Sequence, residues 1–460
     1  VSSPKQQHLA ELKKYFVSKR ICRRGVEHHH NKKIALYAMS KLKGGAAGGL
    51  GLPEPCTLVT EESDSVPFIK CLKGLRVICL TGRERIIKAL RRQPTDRIPV
   101  VNFFHQSYTA RELGIKGPLV NKLVQDPQET MMALQRKLKH DPLINLYTFK
   151  EPEIITWPEA ILRWAPEDRT DWVIEETLLR HDDGKPVIKR VYHTPKGDLQ
   201  AVYRKDAYQK WVLEPILKEE TEAGWLNFRP APEKLDTTPL REYLAKLKGE
   251  AFTLLDIRGS FDELCGFRGL TETLYDLYDH SDKTKATLAS LRDYTVRLVK
   301  KLGTTGIDGI LLNESAVGTG LSPKAFLEFV LPYDQVIAEA AKEAGLLVSY
   351  HICGKSNKLL ELMAESGADA IETLAPPEVS GDCDLAQAKK RVGDRVALWG
   401  GFNERVLAAG DRQLVKREVH RCLSAAAEGG GYILRGAGQI YEATPEAWDA
   451  FTEAVEEFQS

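Results

Sequence analysis

No window of this 460-residue chain comes near the ~18 uninterrupted apolar residues that a membrane-spanning helix needs. A transmembrane protein is therefore excluded. Charge of one sign is also missing: 65 Lys and Arg stand against 64 Asp and Glu. Such a balance creates no overall field to attract nucleic acid or an anionic membrane. The eight cysteines show no short-period framework, which excludes a disulfide-stapled secreted domain and points to a reducing cytoplasm. No phosphate-binding loop or dinucleotide fingerprint follows any apolar run, and Ser and His are not arranged as a nucleophile elbow. No signal-peptide order of basic, apolar and small residues is present.

The charge that is there is unevenly placed. Residues 1–80 hold 14 Lys/Arg against 6 Asp/Glu, and the other 380 hold 51 against 58. The first 80 also contain Cys22, Cys56, Cys71 and Cys79, the triplet His28-His29-His30 and the glycine-rich run at 44–49. Their poor periodicity is that of a solvated basic extension, poorly ordered, and the His triplet is read as part of it rather than as a metal site. A second unit is expected over 81–460.

From Thr81 the pattern changes. Thr81 followed by Glu84 forms a helix-start signature. Short apolar runs then recur at 97–103, 143–149, 251–256, 309–313, 346–351, 368–374, 396–399 and 432–434, with amphipathic stretches between most of them, such as 322–343 and 357–366. Alternating strands and helices with continuously apolar strands imply a parallel sheet covered by helices. Eight strands predict an α/β chain closed as a (β/α)₈ TIM barrel. One insertion interrupts it: residues 171–205 hold three strand-like runs separated by Asp182-Asp183-Gly184 and Pro195-Lys196-Gly197-Asp198, which are hairpin signals. An antiparallel excursion is expected after the second strand, placed to cover the mouth.

Chemistry on a barrel sits at the carboxyl ends of the strands. Reading those ends yields His105, Asp256 with Arg258, Asn313-Glu314, His351-Ile352-Cys353-Gly354, Glu372, Gly401-Phe402-Asn403 and Arg435-Gly436-Ala437-Gly438. His351 and Cys353 are two apart at a strand terminus, so alternation points both to one side. Imidazole and thiolate together are half of a zinc site. Glu314 and Glu372, ending neighbouring strands, are candidate oxygen ligands. The predicted metal set is His351, Cys353 and Glu314; Glu314, Glu372, His105 and Asn403 are the candidate catalytic residues.

The runs Gly306-Ile307-Asp308-Gly309, Leu321-Ser322-Pro323, Phe329-Val330-Leu331-Pro332-Tyr333, His351-Ile352-Cys353-Gly354, Gly367-Ala368-Asp369-Ala370, Asp384-Leu385-Ala386-Gln387 and Gly400-Gly401-Phe402-Asn403 resemble the uroporphyrinogen decarboxylase superfamily over about 83–460. That resemblance implies a TIM barrel and two branches. The decarboxylase branch carries an arginine-rich segment after the first strand; here the place reads Phe104-His105-Gln106-Ser107-Tyr108-Thr109-Ala110-Arg111, with Arg111 alone available. A tetrapyrrole with eight carboxylates needs several charge-assisted contacts, so this branch is disfavoured. The cobalamin-dependent methyltransferase branch has His-x-Cys-Gly, retained at 351–354, and a further Cys where this chain has Ala437. The resemblance therefore implies zinc, with His351 and Cys353 carried over as ligands. It also implies a methyl group moved between a small donor, or a thiol or folate acceptor, and a corrinoid (methylcobalamin) supplied by a partner protein. Uroporphyrinogen decarboxylation and a non-catalytic corrinoid- or tetrapyrrole-binding barrel are the alternatives. Neither nucleic acid nor membrane is an expected partner.

Overall fold

The computed structural model describes residues 80–114, 127–147, 165–205 and 210–459. The basic extension, apart from Leu80, and the His28–His30 triplet lie outside them. Among the described residues no helix is long and apolar enough to cross a membrane.

The helix Gly82–Leu90 begins as the sequence predicts. Thr81 accepts from the Glu84 amide while the Glu84 carboxylate accepts from the Thr81 amide at 2.8 Å, which satisfies two otherwise orphaned donors. Eleven strands follow among the described residues: β1 Leu143–Tyr147, β2 Val173–Asp182, β3 Lys185–Thr194, β4 Gly197–Lys205, β5 Lys210–Glu214, β6 Phe252–Arg258, β7 Gly309–Asn313, β8 Leu347–His351, β9 Ala370–Thr373, β10 Ala397–Gly400 and β11 Tyr432–Ile433. Seven of them form a curled parallel sheet in the order β1-β6-β7-β8-β9-β10-β11.

The expected strand at 97–103 forms no full ladder. It meets the sheet through one parallel bridge, Val100 with Leu434, where the Val101 amide donates to the Leu434 carbonyl and the Leu434 amide to the Pro99 carbonyl, both at 3.0 Å. On its other side the Asp141 amide donates to the Val100 carbonyl at 2.8 Å, and the Asp141 carboxylate accepts from the Val100 amide at 2.9 Å. Pro99 has no N–H to give to a ladder, and a side chain takes the place of a strand partner. The segment thus bonds to the last strand on one side and to the entrance of β1 on the other.

Side-chain alternation divides the sheet into two faces. Val101, Leu143, Phe252, Leu254, Leu347, Ala370, Ala397, Trp399 and Ile433 make one cluster with Ile86, Ala89 and Leu90 of the first helix. The intervening residues, among them Ile144, Leu255, Ile310, Val348, Ile371 and Leu398, join the larger core under the outer helices. The helix Gly82–Leu90 lies against the strand starts. Arg85 pairs with Asp96 at 2.6 Å and with Asp141, and Arg83 reaches Asp308, the residue before β7, at 3.0 Å. The opposite end of the concave face is left for the site.

The helix predicted over 322–343 is two, Pro323–Phe329 and Leu331–Glu343, separated at Val330. Pro332 cannot donate to the preceding turn and so starts a new helix. The insertion is the antiparallel sheet β2-β3-β4-β5. Its first turn uses Asp183 and Gly184, both at positive φ (49° and 74°), the geometry a two-residue hairpin demands. β5 is one strand more than expected, although Trp211-Val212-Leu213 was a legible apolar run.

Candidate functional site

The parallel register sets Arg258 beside Asn313, Asn313 beside His351, His351 beside Glu372, and Glu372 beside Trp399. Arg258, His351, Glu372 and Trp399 are an even number of residues from, or are themselves, members of the inner cluster on their own strands, and Asn313, in register between Arg258 and His351, faces the same concave side. Arg435 joins them two residues beyond Ile433. The strand ends therefore carry a polar row above an apolar layer.

At the centre lies a connected chain of side chains. The Cys353 Sγ stands 2.8 Å from His351 Nε2. The other ring nitrogen, Nδ1, is bonded to one oxygen of Glu372, and the second Glu372 oxygen accepts from Arg435. Glu372 is fully buried and Arg435 nearly so, whereas Cys353 is exposed. The Arg435 guanidinium lies over the rings of Trp399 (5.3 Å) and Phe103 (5.8 Å). It is a fixed cation among aromatic faces.

The backbone is shaped to hold this arrangement. Gly354 adopts φ +81°, and a Cβ there would lie 3.0 Å from the Gly318 carbonyl oxygen. Thr373 and Leu374, directly after Glu372, have φ of 75° and 50°, which a β-branched residue adopts only under constraint. The Thr373 hydroxyl meets that constraint by donating to the Ile352 carbonyl at 2.8 Å, tying the end of β9 to the loop that carries Cys353.

Crowding pushes the Cys353 thiol up, but the adjoining His351, the Ser315 hydroxyl and Arg435 outweigh it and hold the thiol below its ordinary range. Burial lowers His351, yet Cys353 and Asp256 more than compensate, and the imidazole sits above its usual value. The pair favours thiolate and imidazolium together. Asp256, raised by burial, accepts from Asn313 Nδ2 at 3.2 Å. Asn313 Oδ1 in turn accepts from the Ser315 amide (3.0 Å) and hydroxyl (2.6 Å).

The other predicted site residues are placed elsewhere. Glu314 points away because Asn313 points in. Its carboxylate, wholly buried, accepts from the amides of Phe261 (3.1 Å) and Asp262 (2.7 Å) and so caps the helix Ser260–Arg268, whose own N-cap is the side-chain-less Gly259. Burial raises both Glu314 and its neighbour Asp334, which the Tyr350 hydroxyl also contacts. Both carboxyls lie buried behind the sheet. His105 caps the helix Gln106–Glu112, with Nδ1 2.6 Å from the Ser107 hydroxyl, and its ring stacks on Tyr441 at 4.4 Å. Asn403 Oδ1 accepts from the Arg405 amide at 3.1 Å, a local turn contact.

The donor set matches the implied zinc in two corners. His351 Nε2 and Cys353 Sγ supply an imidazole and a thiolate, and Glu372 holds the far ring nitrogen as carboxylates do behind metal-bound histidines. A third corner is not supplied: Glu314 faces the helix layer, both Glu372 oxygens are engaged, and Ala437 has no donor atom. Among the described residues no group of three or more His, Cys, Asp or Glu is arranged to hold a metal ion. Sequence reasoning assigned no role to Arg435, Asp256, Ser315 or the Asp334–Tyr350 pair. Strand parity could have turned Glu314 outward; nothing in the sequence joined Arg435 to Glu372, 63 residues away.

Comparison with known proteins follows the same stretch of chain. The family model "Uroporphyrinogen decarboxylase (URO-D)" matches residues 257–458. Uroporphyrinogen decarboxylase of Legionella pneumophila (strain Corby) is 31% identical over 170 residues, 36% of this chain and 45% of that protein. The enzyme of Pseudomonas aeruginosa (strain LESB58) is 32% identical over 188 residues, 40% of this chain and 51% of that protein. The chain thus spans about half the length of the curated relatives it matches. Among solved structures, a methyltransferase from Methanosarcina mazei superposes with a TM-score of 0.57 at 16% identity, covering 83% of this chain and 99% of that one. At that identity the likeness is one of fold.

Proposed function

With residues 257–458 belonging to the uroporphyrinogen decarboxylase (URO-D) family, we propose that the chain is an enzyme of that superfamily which moves a methyl group between a small donor or acceptor and a corrinoid carried by a separate protein. The reading includes a closed (β/α)₈ barrel and a cytoplasmic location. The observation that carries it is the Cys353–His351–Glu372–Arg435 chain at the strand ends, with an exposed thiol at one end and a buried cation at the other.

Arg435 neutralises Glu372 in a buried setting where an unpaired carboxylate would be costly. Glu372 orients the ring of His351, and His351 stabilises the Cys353 thiolate. Zinc bound by His351 and Cys353 would supply Lewis acidity to a thiol acceptor or to a donor oxygen. Asp256, whose carboxyl burial pushes above its ordinary range, faces the same space and is the group placed to exchange a proton with a departing oxygen.

Uroporphyrinogen decarboxylation is the second reading, favoured by the identities of 31% and 32% to such enzymes. Two arginines speak against it. Arg435 is committed to Glu372, and Arg111 reaches the Tyr441 carbonyl at 3.3 Å; neither is offered to a substrate carboxylate. The test uses the purified full chain. Methylcobalamin demethylation with a panel of thiols and with tetrahydrofolate should proceed and fall more than tenfold in Cys353→Ser and His351→Ala, with zinc content falling in parallel. Conversion of uroporphyrinogen to coproporphyrinogen with no demethylation would replace this reading by the second.

A further inference from the structure

Arg258 is the cation of the polar row that the connected chain leaves out. Parity from Phe252 and Leu254 turns it to the concave face, and the register places it beside Asn313, two strands from His351. Its side chain is 30% exposed, whereas that of Arg435, the other arginine of the row, is 7% exposed and paired with Glu372. The Arg258 guanidinium is also held in place. Asp262, four residues on, meets its Nε at 3.4 Å, and Asp262 is itself fixed by accepting from the Ala316 amide at 2.9 Å. Gly266 gives the room: a Cβ there would collide with Nη1, so the fork rests on the helix Ser260–Arg268 where any side chain would displace it. Asp256, two residues earlier on the same face, accepts from Asn313 Nδ2 at 3.2 Å.

Strand spacing sets the scale. Adjacent strands stand about 4.8 Å apart, so the Arg258 and His351 backbones are separated by about 10 Å, and Cys353 Sγ lies 2.8 Å from His351 Nε2. A molecule a few bonds long therefore meets the thiol at one end and the arginine at the other. A planar guanidinium fork suits a planar, two-oxygen anion. We propose that Arg258 is the anion anchor of this site: it takes the carboxylate of a small monoanionic substrate whose reacting group lies at Cys353. The proposal rests on the reading above in taking Cys353 as the thiol where the substrate reacts, and it narrows that reading to donors or acceptors with a single carboxylate. Arg258 lies on β6, away from the segment after the first strand that holds Arg111, and one fork meets one carboxylate rather than eight.

The test labels Cys353 in the full chain with two probes of one shape, 3-maleimidopropionate and the neutral 3-maleimidopropionamide, and reads each rate by peptide mass spectrometry. The ratio of the two rates, taken relative to the same ratio for 2-mercaptoethanol, cancels any change in the reactivity of the thiol itself. Wild type should favour the carboxylate by about tenfold, the low end for a hydrogen bond to a charged group. Arg258→Met should remove most of that preference, and Arg258→Lys, a cation without the fork, should keep part of it. Melting curves establish folding, and Arg258→Gln, with the same expected loss, covers the case in which Arg258→Met fails to fold. Lys355→Met, which removes an exposed cation beyond the Gly354 turn, should leave the ratio at its wild-type value. A wild-type chain without the preference, or a folded Arg258→Met or Arg258→Gln that retains it, would overturn the proposal. So would an equal loss in Lys355→Met, which would make the preference one of general field. If neither probe labels Cys353, it is the choice of that thiol, and with it the reading above, that fails instead.

Discussion

Glu314 shows how one residue's role depends on which way its strand turns it. Placed at a strand end beside His351, it reads as a ligand; turned outward by alternation, it caps a helix that has no side-chain cap of its own. Its two amide donors, Phe261 and Asp262, need an acceptor but not a negative charge, and burial holds the Glu314 carboxyl well above the ordinary carboxylate range. Glu314→Gln should therefore melt close to wild type. Glu314→Ala, which leaves two buried N–H groups without an acceptor, should cost about 2–4 kcal/mol. Zinc affinity should be the same in Glu314→Gln as in wild type; a Gln variant that loses zinc would return Glu314 to the site. The same logic separates Cys353 from the other described cysteines. Burial pushes Cys383 and Cys422 up to about 12 and raises Cys265 well above the ordinary thiol, so Cys353 is the one of the four poised to react. Iodoacetamide at neutral pH should label Cys353 well before those three, as read by peptide mass spectrometry.

At the scale of elements, the ends of β9 and β10 position the site more than their interiors do. Gly400 has φ +124°, and a Cβ there would fall 2.2 Å from the Thr373 carbonyl oxygen. Thr373 is itself at positive φ and follows Glu372, so the close approach of two backbones is what allows the β9 end to bend where it does. Gly400→Ala should cost about 2 kcal/mol or more in melting experiments, because the new methyl meets backbone and the φ is unfavourable. It should also weaken the His351–Glu372 coupling and lower zinc affinity. A stable Gly400→Ala with unchanged affinity would show that β9 bends without this contact. That Gly400-Gly401 is a tight place was legible in the sequence as a pair of glycines after a strand. That Thr373 carries the matching strain was not, since nothing in Glu-Thr-Leu announces a left-handed residue.

Over the whole molecule, the end opposite the site is held by buried ion pairs and sets an acid limit. Burial raises the Asp96 carboxyl, but Arg85, the Leu80 amide and Arg97 outweigh it and hold Asp96 below the ordinary range. A depressed folded value means that the stabilisation is complete above the unfolded value of about 3.9. It is lost as pH falls through the lower folded value. Asp96→Asn should cost about 3 kcal/mol at neutral pH, since it leaves Arg85 less compensated in a buried setting. It should also flatten the decline of melting temperature as pH falls below the ordinary aspartate value of about 3.9. An acid limb as steep as that of wild type would place the limit on other carboxylates.

What the sequence determined by itself was local or periodic. The Thr81–Glu84 capping box, seven of the parallel strands, the Asp-Gly hairpin turn and the His351/Cys353 pair all lie within a few residues of one another or follow a period of two. Those relations survive without knowledge of distant neighbours, and the resemblance drawn from 306–403 and the family match over 257–458 rest on such runs. Tertiary structure decided what depends on two distant segments meeting. It joined Arg435 to Glu372, turned Glu314 to the amides of Phe261 and Asp262, paired Asp334 with Tyr350, and replaced the first strand's ladder with the Asp141 carboxylate. The physical reason is common to all four. A buried polar group must find a partner wherever the packed chain brings one, and packing, not spacing along the chain, chooses which.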